Sequence, residues 1–145
     1  MITSQNQKYI NPWLYTTISM VILMIIIGGI TRLTDSGLSM VEWRPIWGFL
    51  PPISDEEWKR VFSLYMSSPE YIFKNQGMSI TEFKKIFFWE YFHRLWGRLI
   101  GIVFIIPLII FYLFNKIPNS ILLKLLIILF LGSLQAVIGW WMVKS

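Results

Sequence analysis

The stretch LWGRLIGIVFIIPLIIFYLF, Leu95–Phe114, decides the fold class. It carries one charged residue, Arg98, and as a helix it would rise about 30 Å, the thickness of the hydrocarbon core of a bilayer. Pro107 lies inside it and is expected to kink the helix, which neighbouring helices in a membrane can tolerate. One apolar run precedes it and another follows it. The sequence therefore predicts an all-α membrane protein with three transmembrane helices, over about residues 13–31, 94–114 and 121–143.

The ends of these helices follow from local signals. Pro12 suits the first turn of the first helix. The second helix should begin before its span, near Phe87, because the residues there are already apolar and aromatic. Asn115–Asn119 predicts a tight turn, so the second and third helices should form an antiparallel hairpin. We expect residues 1–145 to form a single membrane domain.

Composition excludes several classes of protein. The chain of 145 residues is 55% hydrophobic and 14% charged, which is too apolar for the surface of a soluble domain. It has no cysteine and one histidine, so a disulfide, a thiolate nucleophile or a two-histidine metal site cannot be completed within it. The net charge of +5 is not gathered into one basic patch, so we expect no nucleic-acid partner.

Charge placement predicts the orientation in the membrane. Lys8 precedes the first span, and Lys116 and Lys124 lie at the short turn, whereas all eight acidic residues lie between Asp35 and Glu90. The positive-inside rule then places the N-terminus and the short turn in the cytoplasm. The long loop, residues 32–93, is predicted to be extracytoplasmic.

This outer loop should be helical rather than disordered. Ser54 can cap a helix whose first turn is acidic. Ser79–Glu82 fits a capping box that opens a helix running through Lys84 and Lys85 into the second span. We expect the short helices of the loop to lie at the membrane interface, over the outer end of the helix bundle. The loop is rich in aromatic residues, which are Trp43, Trp47, Phe49, Trp58, Phe62, Tyr65, Tyr71, Phe73 and Phe83.

The segment EYFHRLWGRLIG, residues 90–101, holds the candidate chemistry. Glu90 and His93 share a helix face, and Gly97 and Gly101 extend the face of His93 at i+4 and i+8. A histidine above a strip without side chains leaves room for a flat ligand, so a haem whose iron is ligated by His93 would fit. The two glycines equally form a GxxxG pattern, which often serves only close helix packing.

Three charged residues surround this face. Arg94 and Arg98 can pair with haem propionates, since Arg binds carboxylates in a bidentate way. Glu90 can orient the histidine, move a proton, or pair with Arg94 at i+4. The alternative for the Glu–Arg pair is simple anchoring at the membrane interface.

At these residues the chain resembles the N-terminal half of haem A synthase, in the longer-loop type of alphaproteobacteria and mitochondria. The resemblance covers nearly the whole chain. The matching stretches are Gly28–Met40, Glu42-Trp43, Pro51-Pro52, Glu57-Trp58, Phe62–Pro69, Glu82–Lys84, Phe87–Arg94 and Gln135–Lys144.

The resemblance implies an oxidoreductase of the bacterial inner membrane. Members of the family convert haem O to haem A for cytochrome oxidase, by oxidising a porphyrin methyl group to a formyl group. Their fold is an eight-helix bundle of two similar halves, each with a pair of histidines. His93 matches the first histidine of the N-terminal pair, and Glu90 matches the acidic residue that the family uses in the reaction.

The chain departs from the family where it stops after the third span. The second histidine of the pair and the haem b of the C-terminal half are missing, so we expect no complete reaction from this chain alone. We expect it to need a complementary C-terminal fragment or to self-associate, besides contacting lipid and haem O. The alternatives are a non-catalytic haem-binding or oxidase-assembly protein and an inactive remnant.

Overall fold

The structure is a computed structural model that describes residues 4–42 and 49–144. These residues form five helices: α1 (Ser4–Leu33), α2 (Asp55–Met66), α3 (Pro69–Phe73), α4 (Ile80–Leu113) and α5 (Asn119–Lys144). Three helices are long and apolar enough to cross a membrane, in α1, α4 and α5. The predicted all-α membrane fold is therefore confirmed. Trp43 and Trp47 of the aromatic loop lie outside the described residues.

The first helix begins earlier than its proline indicates. α1 begins at Ser4, so the prediction that Pro12 occupies the first turn is wrong, and the proline lies in the helix interior. Proline has no N–H for the carbonyl of Lys8, four residues before it. The helix continues through the proline, and Ile10 and Trp13, on either side of it, are both buried in an apolar core.

The chain divides into two compact units, and each is described by itself. The first unit comprises the described residues of Met1–Leu23 and Arg98–Ser145. Its core is a cluster from α1, α4, α5 and the turn before α5: Ile10, Trp13, Phe104, Leu108, Ile117 and Leu125. The Trp13 ring lies 5.5 Å from that of Phe104 and 5.4 Å from that of Phe111, between ring centroids.

A hydrogen bond in this core compensates for the proline in α4. Pro107 lacks the N–H that would bond the carbonyl of Val103, four residues earlier in the helix. The indole Nε1–H of Trp13 donates to that carbonyl at 2.9 Å. A carbonyl left free in an apolar setting is costly, so Trp13 makes the proline tolerable.

The turn between α4 and α5 is short, as predicted. Asn115 adopts a left-handed conformation with φ of 52°, which asparagine tolerates better than most residues. The N–H of Lys116 then donates to the carbonyl of Phe111 at 2.9 Å, which closes the end of α4.

The second unit, Met24–Gly97, contains the end of α1, helices α2 and α3, and the start of α4. Its predicted caps are confirmed. The Oγ of Ser54 accepts from the N–H of Glu57 at 3.2 Å, and Ser79 and Glu82 exchange the two bonds of a capping box. From this box α4 runs without a break through Lys84 and Lys85. The helix α3, capped by Ser68, was not predicted.

An aromatic cluster forms the core of this unit. Tyr65 of α2 and Phe83 of α4 are fully buried, and their rings stack with centroids 4.9 Å apart. Trp58 packs edge-on against Phe87, with centroids 5.1 Å apart. The Nδ2 of Asn75 donates to the Tyr65 hydroxyl at 2.7 Å, and burial raises the pKa of this phenol. The cluster therefore fixes α2 against the first turns of α4.

We predict that Trp13→Phe lowers the free energy of unfolding by about 1–3 kcal/mol, because it leaves the Val103 carbonyl unsatisfied. In a Pro107→Ala background, where residue 107 regains its N–H, the same substitution should cost clearly less. The measurement is a double-mutant cycle of unfolding in detergent, in which the loss of ring area cancels. Equal losses in both backgrounds would contradict the role given to this bond.

Candidate functional site

One face of α4 changes from apolar to charged along its length. Phe83, Phe87, Glu90 and Arg94 follow one another at spacings of three and four residues, so they share a face of the helix. The two phenylalanines lie in the aromatic core, and Glu90 is buried too, with 3% of its surface exposed. A buried carboxylate beside an apolar core needs hydrogen-bond donors.

The segment after α1 supplies those donors. Asp35 takes a left-handed conformation with φ of 51°, and the N–H of Ser36 donates to the carbonyl of Thr31 at 2.9 Å. This turn ends α1 and leads into Ser36 and Ser39, which are both buried. The segment then passes close to α4 at Met40.

Glu90 accepts three hydrogen bonds through its two carboxylate oxygens. The Oγ of Ser39 donates to Oε2 at 2.6 Å, and the N–H of Met40 donates to the same oxygen at 2.7 Å. The Nη2 of Arg94 donates to Oε1 and forms an ion pair at the i+4 position. Hydrogen bonds to the ionised form of a carboxylate stabilise that form, so these donors are suited to a charged Glu90.

Arg94 connects Glu90 to the backbone of the segment that follows α1. Besides binding Glu90, its Nη2 donates to the carbonyl of Met40 at 3.3 Å. The backbone of Met40 therefore donates a hydrogen bond to the carboxylate through its N–H and accepts one from the guanidinium through its carbonyl. Of the three predicted roles of Glu90, pairing with Arg94 is the one this geometry contains.

His93 lies on the neighbouring face, against α1. A Cβ atom placed on Gly28 would lie 3.4 Å from the Nε2 of His93, so the imidazole rests on a position without a side chain. The ring is half-buried. Among the residues that the structure describes, no hydrogen bond engages the imidazole of His93. A ring nitrogen without a hydrogen bond is available to ligate a metal.

The two glycines of the predicted ligand face differ in their surroundings. At Gly97, a Cβ atom would lie 3.4 Å from the terminal methyl of Met24, which stands one turn before Gly28 on α1. Here the close packing expected from a GxxxG pattern is present. Gly101 belongs to the other unit, as does Arg98, and apart from its chain neighbours and its own helix backbone no described atom lies within 4 Å of its Cβ position.

The side chains near His93 set a limit on the kind of group they could hold. In the described parts of the chain, no group of three or more His, Cys, Asp or Glu side chains converges to hold a metal ion. A haem brings its own four nitrogen ligands, so one histidine is enough for an axial position. His93 is one histidine on this helix, and the carboxylate of Glu90 already accepts hydrogen bonds from Ser39, Met40 and Arg94.

Sequence reasoning found Glu90, His93 and Arg94 but missed Gly28, Ser39 and Met40 as their partners. Ser39 is 51 positions from Glu90, and no periodicity connects them. The available signal was the need of a buried carboxylate for donors, together with two serines in a short segment that follows a span.

We predict that Gly28→Ala slows the reaction of diethyl pyrocarbonate with the imidazole, because the added methyl would crowd Nε2. His93 is the one histidine of the chain, so the reagent reports on this ring alone. Gly29→Ala is the matched control, since no described atom lies within 4 Å of that Cβ position. Equal rates in both variants would mean that His93 does not rest on Gly28.

We also predict that Arg94→Met lowers the free energy of unfolding by about 3–5 kcal/mol, since it leaves the charge of Glu90 buried without its ionic partner. Adding Glu90→Gln should recover part of this loss. Lys74→Met removes an exposed ion pair with Asp35 and should have a small effect. If Arg94→Met is no more harmful than Lys74→Met in detergent unfolding, Glu90 is not held as a buried charge.

The chain is similar to known proteins over nearly its whole length. A family model described as cytochrome oxidase assembly protein matches residues 11–145. The heme A synthase of Caulobacter sp. (strain K31) is 46% identical over 144 residues, which are 99% of this chain and 42% of that protein. The heme A synthase of Nitrosospira multiformis is 50% identical over 139 residues, 96% of this chain and 39% of that protein.

A third relative, the heme A synthase of Rickettsia bellii, is 51% identical over 139 residues, 96% of this chain and 41% of that protein. The chain thus spans about two fifths of the length of these curated relatives. No solved structure matches it. The predicted resemblance to haem A synthase is confirmed, and the chain belongs to the cytochrome oxidase assembly protein family.

Proposed function

We propose that this chain carries part of the haem-oxidising site of a haem A synthase, which converts the methyl group of haem O to the formyl group of haem A. Family membership supports a haem A synthase-like protein of a bacterial membrane, with several spans. The observation that carries the proposal is the position of His93 one helical turn after the buried Glu90. The imidazole of His93 has no described hydrogen bond.

His93 would ligate the iron of the substrate, haem O. Its imidazole is half-buried and faces Gly28, where α1 presents no side chain. Gly97 and Gly101 would leave room for the porphyrin along α4. At Gly97 the flexible side chain of Met24 would have to move aside, which its unbranched thioether makes inexpensive.

Arg94 and Arg98 would pair with the propionates. A guanidinium has five N–H donors, and the described contacts of Arg94 use only Nη2. Arg94 can therefore bind a propionate with its remaining donors while it holds Glu90. Haem carries both an apolar ring and two anions, and a helix that passes from Arg94 into an apolar stretch offers both environments.

Glu90 would handle protons without touching the iron. Oxidising a methyl group to a formyl group replaces two C–H bonds with a C=O bond. With water as the source of the oxygen, the electrons pass to an acceptor outside these residues and protons must leave the site. A carboxylate one turn from the iron ligand can accept one of them, and positioned acid–base groups contribute typically about 10²–10⁴-fold in rate. The hydrogen bonds from Ser39 and Met40 hold the carboxylate in position for this transfer.

We propose that the remaining parts of the site come from outside these residues. We infer that a complementary C-terminal segment supplies the partner histidine and the haem b, and that α5 and the free faces of α4 pack against it. Self-association of the chain would cover the same faces. In this proposal the N-terminus lies in the cytoplasm, and the α2–α3 region lies on the extracytoplasmic side of the membrane.

The test is haem extraction from membranes of cells that make haem O and express this chain with the missing segment of a relative. We expect His93→Ala to abolish bound haem and haem A. Glu90→Gln should lower haem A by about tenfold or more while leaving bound haem in place, because a carboxamide cannot take up the proton.

Glu56→Gln, an exposed carboxylate in the first turn of α2, is the control and should match the unchanged chain. Haem that binds through His93 but never becomes haem A would point to a haem-binding or assembly role. Full haem A yield from Glu90→Gln would refute the proton role of Glu90.

A further inference from the structure

Ser39 has a second acceptor within reach of its hydroxyl. The Oγ lies 2.6 Å from the Oε2 of Glu90 and 2.9 Å from the carbonyl oxygen of Ser36. A hydroxyl has one proton, so it serves one acceptor at a time. Ser39 is 1% exposed, which leaves the choice of acceptor to the protein rather than to water.

The protonation state of Glu90 decides which acceptor is used. While Glu90 is a carboxylate, the hydroxyl of Ser39 donates to Oε2, the stronger acceptor. If Oε2 takes up a proton, the new O–H can donate to the Oγ of Ser39, and the hydroxyl proton can turn to the carbonyl of Ser36. Every polar group keeps a partner in both states, and no heavy atom has to move.

The other donors to Glu90 cannot change in this way. The N–H of Met40 donates to Oε2 in both states because a peptide cannot rotate independently of its chain. The Nη2 of Arg94 stays on the other oxygen, Oε1. Without the hydroxyl, a proton on Oε2 would lose Oγ as its acceptor, and a buried O–H without a partner is costly.

We propose that Ser39 is a positioning residue whose rotating hydroxyl lets Glu90 gain and release a proton at constant geometry. The proton moves onto Oε2 and off it again, and the hydroxyl of Ser39 only changes direction. The importance of this rotation for turnover rests on the proposed function of Glu90, whereas the rotation itself does not.

The first measurement is infrared spectroscopy of the whole chain in nanodiscs, on acidification. The C=O stretching band of protonated Glu90 is assigned as the band that Glu90→Gln removes. We expect Ser39→Ala to shift this band to higher frequency, because the acid loses its hydrogen-bond acceptor. Thr31→Val is the matched control: it removes a buried hydroxyl that donates to the carbonyl of Gly28 at 2.8 Å, and it should leave the band unchanged.

The second measurement is haem A formed per bound haem, with the missing segment supplied. Ser39→Ala should lower this ratio by about tenfold, the effect of one hydrogen bond to a charged group, and leave bound haem unchanged. Ser39→Thr keeps the hydroxyl and should restore the ratio. If its extra methyl prevents folding, Ser39→Cys keeps the volume and a weak donor, and should give an intermediate ratio.

The outcomes separate the two proposals. An unshifted band in folded Ser39→Ala overturns the inference about Ser39, even if the unchanged chain makes haem A. A shifted band with no haem A from the unchanged chain supports the rotation and refutes the proposed function.

Discussion

The burial of the Glu90 charge constrains the whole unit around it. A carboxylate that is 3% exposed must be met by donors, and α4 alone provides only Arg94. The remaining donors come from the segment that follows α1, so the end of α1 has to turn, pass through Asp35 and reach Met40 beside α4. One buried charge thereby fixes the path of a chain segment that has no regular secondary structure.

An aromatic core lies next to this buried charge in the same unit. Phe83 and Phe87 lie on the face of α4 that leads to Glu90, and they bind α2 through Tyr65 and Trp58. Aromatic side chains of this size contribute large buried areas and defined ring geometries. The aromatic packing and the buried charge therefore lie in the same unit, and His93 follows Glu90 by about one turn of the same helix.

Patterns that are local in sequence predicted the structure well, and contacts distant in sequence escaped them. The three long helices, the cap at Ser54, the box at Ser79 and the i+4 pair of Glu90 and Arg94 all follow from spacings of a few residues. The bond from Ser39 to Glu90 has no such spacing. The prediction that Pro12 occupies the first turn of α1 was wrong because the helix begins earlier, and Ile10, before the proline, is buried in the core.

The position of Glu90 on α4 has an electrical consequence. Arg98 is the last charged residue of that helix, and Leu99–Leu113 has none, so Glu90 precedes the uncharged stretch by nine positions. A voltage across a bilayer falls almost entirely over such a stretch, and a full crossing is worth about 2.3 kcal/mol per charge per 100 mV. A proton that reaches Glu90 from the adjacent aqueous side would cross little of that drop. Its arrival would therefore depend only weakly on the voltage across the membrane.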